Sequence, residues 1–345
     1  MKKLILFLAI FFLTGCYDYV ELDEMKLVSS IIVDYKDGEY HINLELLNAS
    51  KDADEGSVFI ESEGKSLEEA INNARNNVDA DPYYGHMSAL FISEDFADEG
   101  IKPIFDFLVR NVEVRKDFYI FISDDVDSLT EYESNAGESL GINVKKTYMR
   151  SMHKTGTYKT CNLREVFRNY LRDEVYVIGG VTVEDNKINL EHNYVFEDNK
   201  KNLEIEEDVS LFLNLMEGNT NSFLIDGGSS YEIHEYTLSL DAAKDKFIVK
   251  LKGSGRVKSA KSGEYSYSDI EKSSKDVSEK LKKRIEDIIE YSRRTGIDIL
   301  CFNNLYYKHY PKLVERDTWK ELDYEVEVDV TIGDKGMIMS TLKGE

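Results

Sequence analysis

Apolar and polar residues alternate along several stretches of the first half of the chain, which is the pattern of half-buried β-strands. One such stretch is 40–47, and the turn residues at 36–38 separate it from an apolar stretch at 27–33. Two strands joined by a short Asp-Gly turn predict a β-hairpin. Further strands are predicted at 89–92, 118–122, 176–183 and 187–196.

Helical spacing of apolar residues appears between these strands. Ser66 and Glu69 fit a capping box, in which a hydroxyl and a carboxylate each bind an amide at the start of a helix. Apolar residues then follow at helical spacing as far as Val78. Further helices are predicted at 101–112 and 163–171, whereas 124–160 is polar, is expected to be mobile, and receives no predicted helix or strand. Strands that alternate with helices predict a mixed α/β first region.

Longer strands dominate the second half. They are predicted at 208–215, 231–240 and 246–252, after the charged stretch 198–207. A second capping box, at Ser268, begins the longest helix, which should end near Gly296. The last clear strand is 322–332, in which apolar residues alternate with acidic ones, and a terminal strand is expected near 337–342. These patterns predict an antiparallel sheet with a long helix packed on one face.

The fold class that follows is α+β with several modules. The N-terminal region should contain one or two mixed α/β modules, and the C-terminal module should combine an antiparallel sheet with the long helix. We expect an N-terminal signal at 1–15, a first domain at 16–200 and a second domain at 201–345. Whether the first domain divides again near 124–160 is left open.

The first 16 residues resemble a secretory signal. Two lysines are followed by an apolar run at 4–13, which is about half the roughly 20 residues that a membrane-spanning helix needs. The run ends in small residues followed by Cys16, which is the lipobox pattern of bacterial lipoproteins. The thiol of Cys16 is therefore expected to carry a thioether-linked diacylglycerol and to become the first residue, with an acylated amine. The alternative is an ordinary signal peptide with an incidental cysteine.

The net charge is strongly negative. Lys and Arg number 43 and Asp and Glu number 66, which gives −23; loss of Lys2 and Lys3 with residues 1–15 would make it −25. Phosphate backbones and anionic lipid surfaces are expected to repel such a chain, so nucleic-acid binding is not expected. A basic amphipathic patch is not expected. Membrane attachment is therefore expected to come from covalent lipid.

Sequence motifs for catalysis or metal binding are missing. Gly253 and Gly255 begin a dinucleotide-binding pattern, but Lys258 stands where its third glycine is required. The acidic stretch 52–56 lacks the spacing of a calcium loop. Histidines are scattered, and Cys161 and Cys301 are either a pair or two separate thiols. No catalytic residue, cofactor or metal is therefore assigned, and an enzyme is not expected.

Several short motifs, in order along most of the chain, resemble the Ger(x)C family of spore germination lipoproteins, the C subunits of germinant receptors. They are Gly15-Cys16-Tyr17-Asp18 with Glu21-Leu22, Gly64-Lys65-Ser66-Leu67 with Ala70, Gly85-His86, Phe107-Leu108-Val109-Arg110 with Arg115, and Asp298-Ile299 with Trp319. The stretch 124–170 does not align with the family pattern.

The resemblance implies a non-enzymatic subunit tethered through Cys16 to the outer face of the spore inner membrane. Its expected partners are an A-type subunit and a polytopic B-type subunit, in a receptor that senses small nutrients. Arg110 and Arg115 are candidates for buried ion pairs or for a subunit contact. The main alternative is a lipid-anchored extracytoplasmic solute-binding protein, and a lipoprotein hydrolase is a third hypothesis.

Overall fold

A computed structural model describes residues 25–47, 56–110, 114–134, 137–226, 229–259, 267–315 and 317–334. The predicted signal, Cys16, most of the acidic stretch 52–56 and the predicted terminal strand near 337–342 lie outside these residues. The mixed α/β fold class is confirmed, since helices cover the faces of a nine-stranded sheet and a four-stranded sheet.

The first sheet has the order β3-β2-β1-β5-β6-β7-β8-β9, with β4 beside the start of β1. Its strands are β1 Met25–Lys36, β2 Glu39–Leu47, β3 Ser57–Gly64, β4 Asp81–Tyr83, β5 Ala89–Ser93, β6 Tyr119–Ser123, β7 Tyr176–Glu184, β8 Lys187–Glu197 and β9 Lys200–Glu204. The central strands β1, β5, β6 and β7 are parallel, and antiparallel hairpins flank them. The four central strands therefore begin at one edge of the sheet and end at the other.

Helices cover both faces of this sheet. They are α1 Leu67–Asn76, α2 Glu94–Glu99, α3 Lys102–Arg110, α4 Val126–Thr130, α5 Leu140–Lys154 and α6 Leu163–Tyr170. Ile31 packs on the face that holds α1, α2, α3 and α6, whereas Ile32 packs on the face that holds α4 and α5. The two faces alternate along β1 because successive strand residues point to opposite sides.

The second sheet has the order β10-β11-β12-β13 and packs against the predicted long helix. Its elements are α7 Glu207–Met216, β10 Phe223–Asp226, β11 Ser230–Ala242, β12 Lys246–Ser259, α8 Tyr267–Thr295, α9 Phe302–His309, α10 Thr318–Glu321 and β13 Asp323–Asp334. One pairing corrects the prediction of a wholly antiparallel sheet, because β12 and β13 run parallel. The chain passes through α8 between them, and a long crossover of this kind joins parallel strands.

Two further predictions about local structure are wrong. The predicted strand 208–215 lies in helix α7, where every residue from Val209 to Leu215 is buried. A continuous apolar run fits a buried helix as well as a buried strand, so periodicity could not separate the two. The stretch 124–160, for which no helix or strand is predicted, contains α4 and α5.

The two sheets share part of one core. Val177 of β7 and Val195 of β8 belong to the same apolar cluster as Phe247 of β12 and Ile285 of α8. The second sheet therefore packs partly against residues of the first. The predicted border near residue 200 stays a prediction.

Candidate functional site

Arg110 and Arg115 lie near the edge at which the parallel strands begin. Arg110 is the last residue of α3 and is exposed. Arg115 follows shortly before β6 and pairs with Asp117, with an N–O distance of 2.6 Å. The side chains of Arg115 and Asp117 are 64% and 43% exposed. Neither arginine therefore forms a buried ion pair, and a subunit contact stays a prediction.

Three further cations lie close to these arginines in the folded chain. The backbone N–H of Arg164 donates to the carbonyl of Lys116 over 3.0 Å, which brings the start of α6 to the start of β6. Arg168 lies one turn further on the same helix face. Helices α3 and α6 are neighbours, because the ring centroids of Phe105 and Phe167 are 5.5 Å apart. All of these cations are exposed. We call the group the basic edge: Arg110, Arg115, Lys116, Arg164 and Arg168.

Helix α6 is fixed at this edge by a capping box. The side chain of Asn162 accepts from the amide of Glu165 over 2.9 Å, and the Glu165 carboxylate accepts from the amide of Asn162 over 3.0 Å. The carboxylate of Glu165, in the first turn of α6, is therefore hydrogen-bonded to the backbone. The sequence interpretation missed Lys116, Arg164 and Arg168. Arginines at 164 and 168 in the predicted helix 163–171 were the available signal, since residues four apart share a helix face.

A cavity of about 620 Å³ lies between α1, α3 and the start of β1. Met25, Phe107 and Arg110 line it, together with an ion pair between Arg75 and Asp81 at 2.7 Å. A mixture of aromatic and charged walls at this volume is typical of small-molecule sites. The cavity adjoins the basic edge, because Arg110 belongs to both.

The opposite edge, at which the parallel strands end, is acidic. A smaller cavity of about 180 Å³ opens there, and its acidic lining residues are Asp34, Glu94, Asp95, Asp124, Asp125 and Asp127. Burial works to raise the pKa of Asp34, but the hydrogen bond and charge of Lys36, at 2.6 Å, outweigh it together with hydrogen bonds from Ser93 and the amide of Tyr35, and the pKa is lowered. We call this group the acidic edge. The first sheet therefore has opposite charge at its two ends.

Other candidate residues have structural environments. Cys161 and Cys301 are both free, which settles the alternatives left open for them. Burial raises the pKa of Cys161 to about 12, so its thiol stays protonated at neutral pH. Gly85 and His86 lie in a short 3₁₀ turn.

Two acidic residues of the last strand pair with lysines. Glu325 pairs with Lys246 at 2.5 Å and Glu327 with Lys250 at 2.9 Å, across the β12–β13 pairing. Within the described part of the chain, no three His, Cys, Asp or Glu side chains are grouped so that they could hold a metal ion. The same residues include no helix that is both long and apolar enough to cross a membrane.

Comparison with known proteins identifies two family models along the chain. Residues 18–183 match a spore germination protein N-terminal domain, and residues 169–336 match a spore germination B3/GerAC-like C-terminal domain. The crystal structure of the GerBC protein is similar in fold, with a TM-score of 0.56 at 12% identity, over 88% of this chain and 97% of that one.

Two Bacillus subtilis (strain 168) proteins are similar in sequence. The putative spore germination protein YfkR is 27% identical over 122 residues, and spore germination protein KC is 28% identical over 127 residues. The aligned stretches cover 32% and 33% of this chain, and 32% and 31% of those relatives. The two family models together run from residue 18 to residue 336, and the chain therefore belongs to the GerAC-like family of spore germination proteins.

Proposed function

We propose that the protein is the lipid-anchored C subunit of a nutrient germinant receptor and acts by protein–protein interaction. The observation that carries the proposal is the succession of two germination-protein domains directly after a lipobox cysteine. Cys16 would hold the protein to the outer face of the spore inner membrane. An A-type subunit and a polytopic B-type subunit would be its neighbours.

The environment of the buried polar groups is consistent with a role other than catalysis. The Cys161 thiol has a raised pKa, and burial likewise raises the pKa of Cys301 well above its usual value. Thiols in this state are poor nucleophiles.

Replacement of the lipobox cysteine tests the anchoring. Cys16→Ala should leave the protein unlipidated, move it out of the membrane fraction after a high-salt wash, and impair germination. Cys301→Ala is the matched control, since it removes a thiol of the folded body. If the Cys16→Ala protein stayed in the washed membranes, the lipid tether would be wrong. Co-isolation of A-type and B-type subunits from dormant spore membranes tests the receptor assignment.

The cavity beside α3 supports one alternative, which is direct binding of a small solute by a lipid-anchored protein. Its volume of about 620 Å³ is within the range of small-molecule sites. A thermal-shift screen against free amino acids separates the two functions, because a ligand that binds the folded state raises the unfolding temperature. An interaction subunit should show no shift. A clear shift that Arg110→Gln abolishes would favour solute binding.

A further inference from the structure

We infer that the basic edge of the first sheet rests on the anionic headgroups of a phospholipid bilayer and sets the orientation of the protein on the membrane. The inference rests on the proposed function in one respect, which is the tether at Cys16. Its consequence is that the acidic edge points away from the bilayer. Four observations carry it: the entry point of the chain, the local balance of charge, the distance to the acidic edge, and exposed apolar residues beside the cations.

The chain enters the fold next to the basic edge. Met25, the first residue of β1, lines the same cavity as Phe107 and Arg110. Met25 is nine positions after Cys16, and nine residues span at most about 30 Å when fully extended. A lipid on Cys16 therefore keeps the basic edge within reach of the bilayer surface.

The charges at the basic edge do not cancel. Among the described residues, no ion pair uses Arg110, Lys116, Arg164 or Arg168, whereas Arg115 pairs with Asp117. Two other nearby acids are already paired: Asp79 lies 3.7 Å from Lys26, and Asp81 lies 2.7 Å from Arg75. Three acids at this end form no ion pair among the described residues: Asp106 on α3, Glu68, which lines the cavity with Arg110, and Glu165 at the start of α6. Four cations without an ion pair therefore face three such acids, which leaves a small excess of positive charge in this described part of the chain.

The negative charge of the whole chain does not oppose this contact. Salt screens exposed charges beyond about 8 Å at physiological ionic strength. The acidic edge lies at the far end of β5 and β6, and a strand of five residues spans about 17 Å. A bilayer at the basic edge therefore interacts electrostatically with the arginines, whereas salt screens its repulsion by the acidic edge. Guanidinium groups also suit phosphate, because they donate two parallel hydrogen bonds.

Exposed apolar residues accompany the cations. Val109, next to Arg110 on α3, is 42% exposed, and Leu171, three residues after Arg168, is 78% exposed. Cationic side chains beside exposed apolar ones are typical of surfaces that lie on a membrane. Two other occupants of the basic edge would carry a suitable charge: the acids of the tether itself, Asp18, Glu21, Asp23 and Glu24, and an acidic face of a partner protein. The test is designed to separate them.

Arginine footprinting of the full-length lipidated protein tests the contact. The protein is placed in vesicles of phosphatidylcholine alone and in vesicles with one third phosphatidylglycerol, and is treated with phenylglyoxal before peptide mass mapping. Each cation near an anionic surface strengthens membrane binding roughly fivefold and several act together, so reactivity at Arg110, Arg164 and Arg168 should fall by at least about fivefold in the anionic vesicles. High salt should restore the reactivity. Arg294, exposed near the end of α8, should react equally in both.

Variants provide a second readout of orientation. Trp319, the single tryptophan, is buried in the second module and can transfer energy to dansyl-labelled lipid. The wild-type transfer efficiency should differ between neutral and anionic vesicles. The variant R110Q/R115Q/R164Q/R168Q should show no difference. The control R150Q/K154Q/K272Q/K283Q loses the same number of exposed cations elsewhere and should behave as the wild type.

Three results would overturn the inference. Equal protection in both vesicle types would mean that the tether or another part of the chain covers the basic edge. Protection that needs co-reconstituted receptor subunits would assign the edge to a protein partner. Equal reactivity in all conditions would leave no contact. Failure of the tether is separate: a protein without lipid on Cys16 would not float with vesicles of either composition, whereas failure of the contact would leave flotation intact and the arginine reactivities equal.

Discussion

Asp298 is an acid whose environment favours its protonated form. Its carboxylate accepts the backbone amides of Phe302 and Asn303, at 2.8 and 2.7 Å, and so caps the start of α9. Burial raises the pKa of Asp298 to about 6, although these two amides work to lower it. The carboxylate of Asp298 therefore stabilises the start of α9 by hydrogen bonding, although burial disfavours its ionisation.

The raised pKa predicts a pH dependence of stability. A folded-state pKa above the unfolded value means that the folded state holds the proton more tightly, so this contribution is present below about pH 4 and is lost as pH rises through about 6. Wild-type protein should therefore gain about 1 kcal/mol relative to Asp298→Asn between pH 7.5 and pH 5. Urea unfolding of both proteins at the two pH values measures the difference. A constant difference would contradict the assignment.

At the scale of elements, α5 is held to the first sheet by one buried carboxylate. Glu45 of β2 is fully buried and accepts the amides of Leu140 and Gly141, at 2.5 and 3.0 Å, as well as the hydroxyls of Ser30 and Ser57. The positive end of the helix dipole stabilises such a charge. A side chain at Gly141 would lie 2.8 Å from a backbone oxygen of β1, so only glycine allows this close approach.

Replacement of this carboxylate should be costly. Glu45→Gln puts an amide NH₂ where a backbone N–H needs an acceptor, and it removes the negative charge from the helix start. We expect a loss of about 3 kcal/mol in the free energy of unfolding. Glu61→Gln, on the exposed face of β3, should change it by less than about 0.5 kcal/mol. Similar urea midpoints for the two variants would show that Glu45 does not anchor α5.

The elements that could be predicted from sequence are those with one buried and one exposed face. Helix α8 and strand β13 show a regular alternation of this kind and appear in the structure as predicted. Helix α7 is buried on all sides, so its sequence carries no period that distinguishes it from a strand. Helix α5 does place Leu140, Val144 and Tyr148 four apart on its buried side, but polar residues around them hid the pattern.

The basic edge could not be predicted because its members are distant in sequence. Arg110 and Arg164 belong to different helices, and the pairing of the segment before α6 with the start of β6 brings them together. A linear count of charge shows the surplus of acids and conceals this separation of charge along the strands.

At the scale of the whole molecule, polar contacts join the two sheets. The side chain of Asn214 in α7 donates to the carbonyls of Gly156 and Tyr158, at 2.8 and 3.0 Å. Lys159 is 5% exposed, and its ammonium lies 2.6 Å from the carboxylate of Glu217. Burial works to lower the pKa of Lys159, but Glu217 outweighs it and raises the pKa. Lys159 therefore remains charged at the junction.

A double-mutant cycle tests this junction. Glu217→Ala leaves a buried ammonium without its partner and should lower the free energy of unfolding by about 2 kcal/mol, since Glu217 itself is partly exposed. Lys159→Met in the same protein should recover a large part of that loss, because no unpaired charge remains. Urea unfolding of the two single variants and the double variant measures the coupling. Additive losses would show that the pair does not link the modules.

The position of β7 has a practical consequence for anyone who shortens this protein. The first family match ends at residue 183, inside β7, which meets β6 only at Phe121–Gly179 and Ile122–Gly180 but pairs with β8 along its length. A fragment that ends there would turn an interior strand into an unpaired edge strand, and unpaired edge strands pair with other chains and cause aggregation. Expression of the first half should therefore extend through Glu204, the last residue of β9.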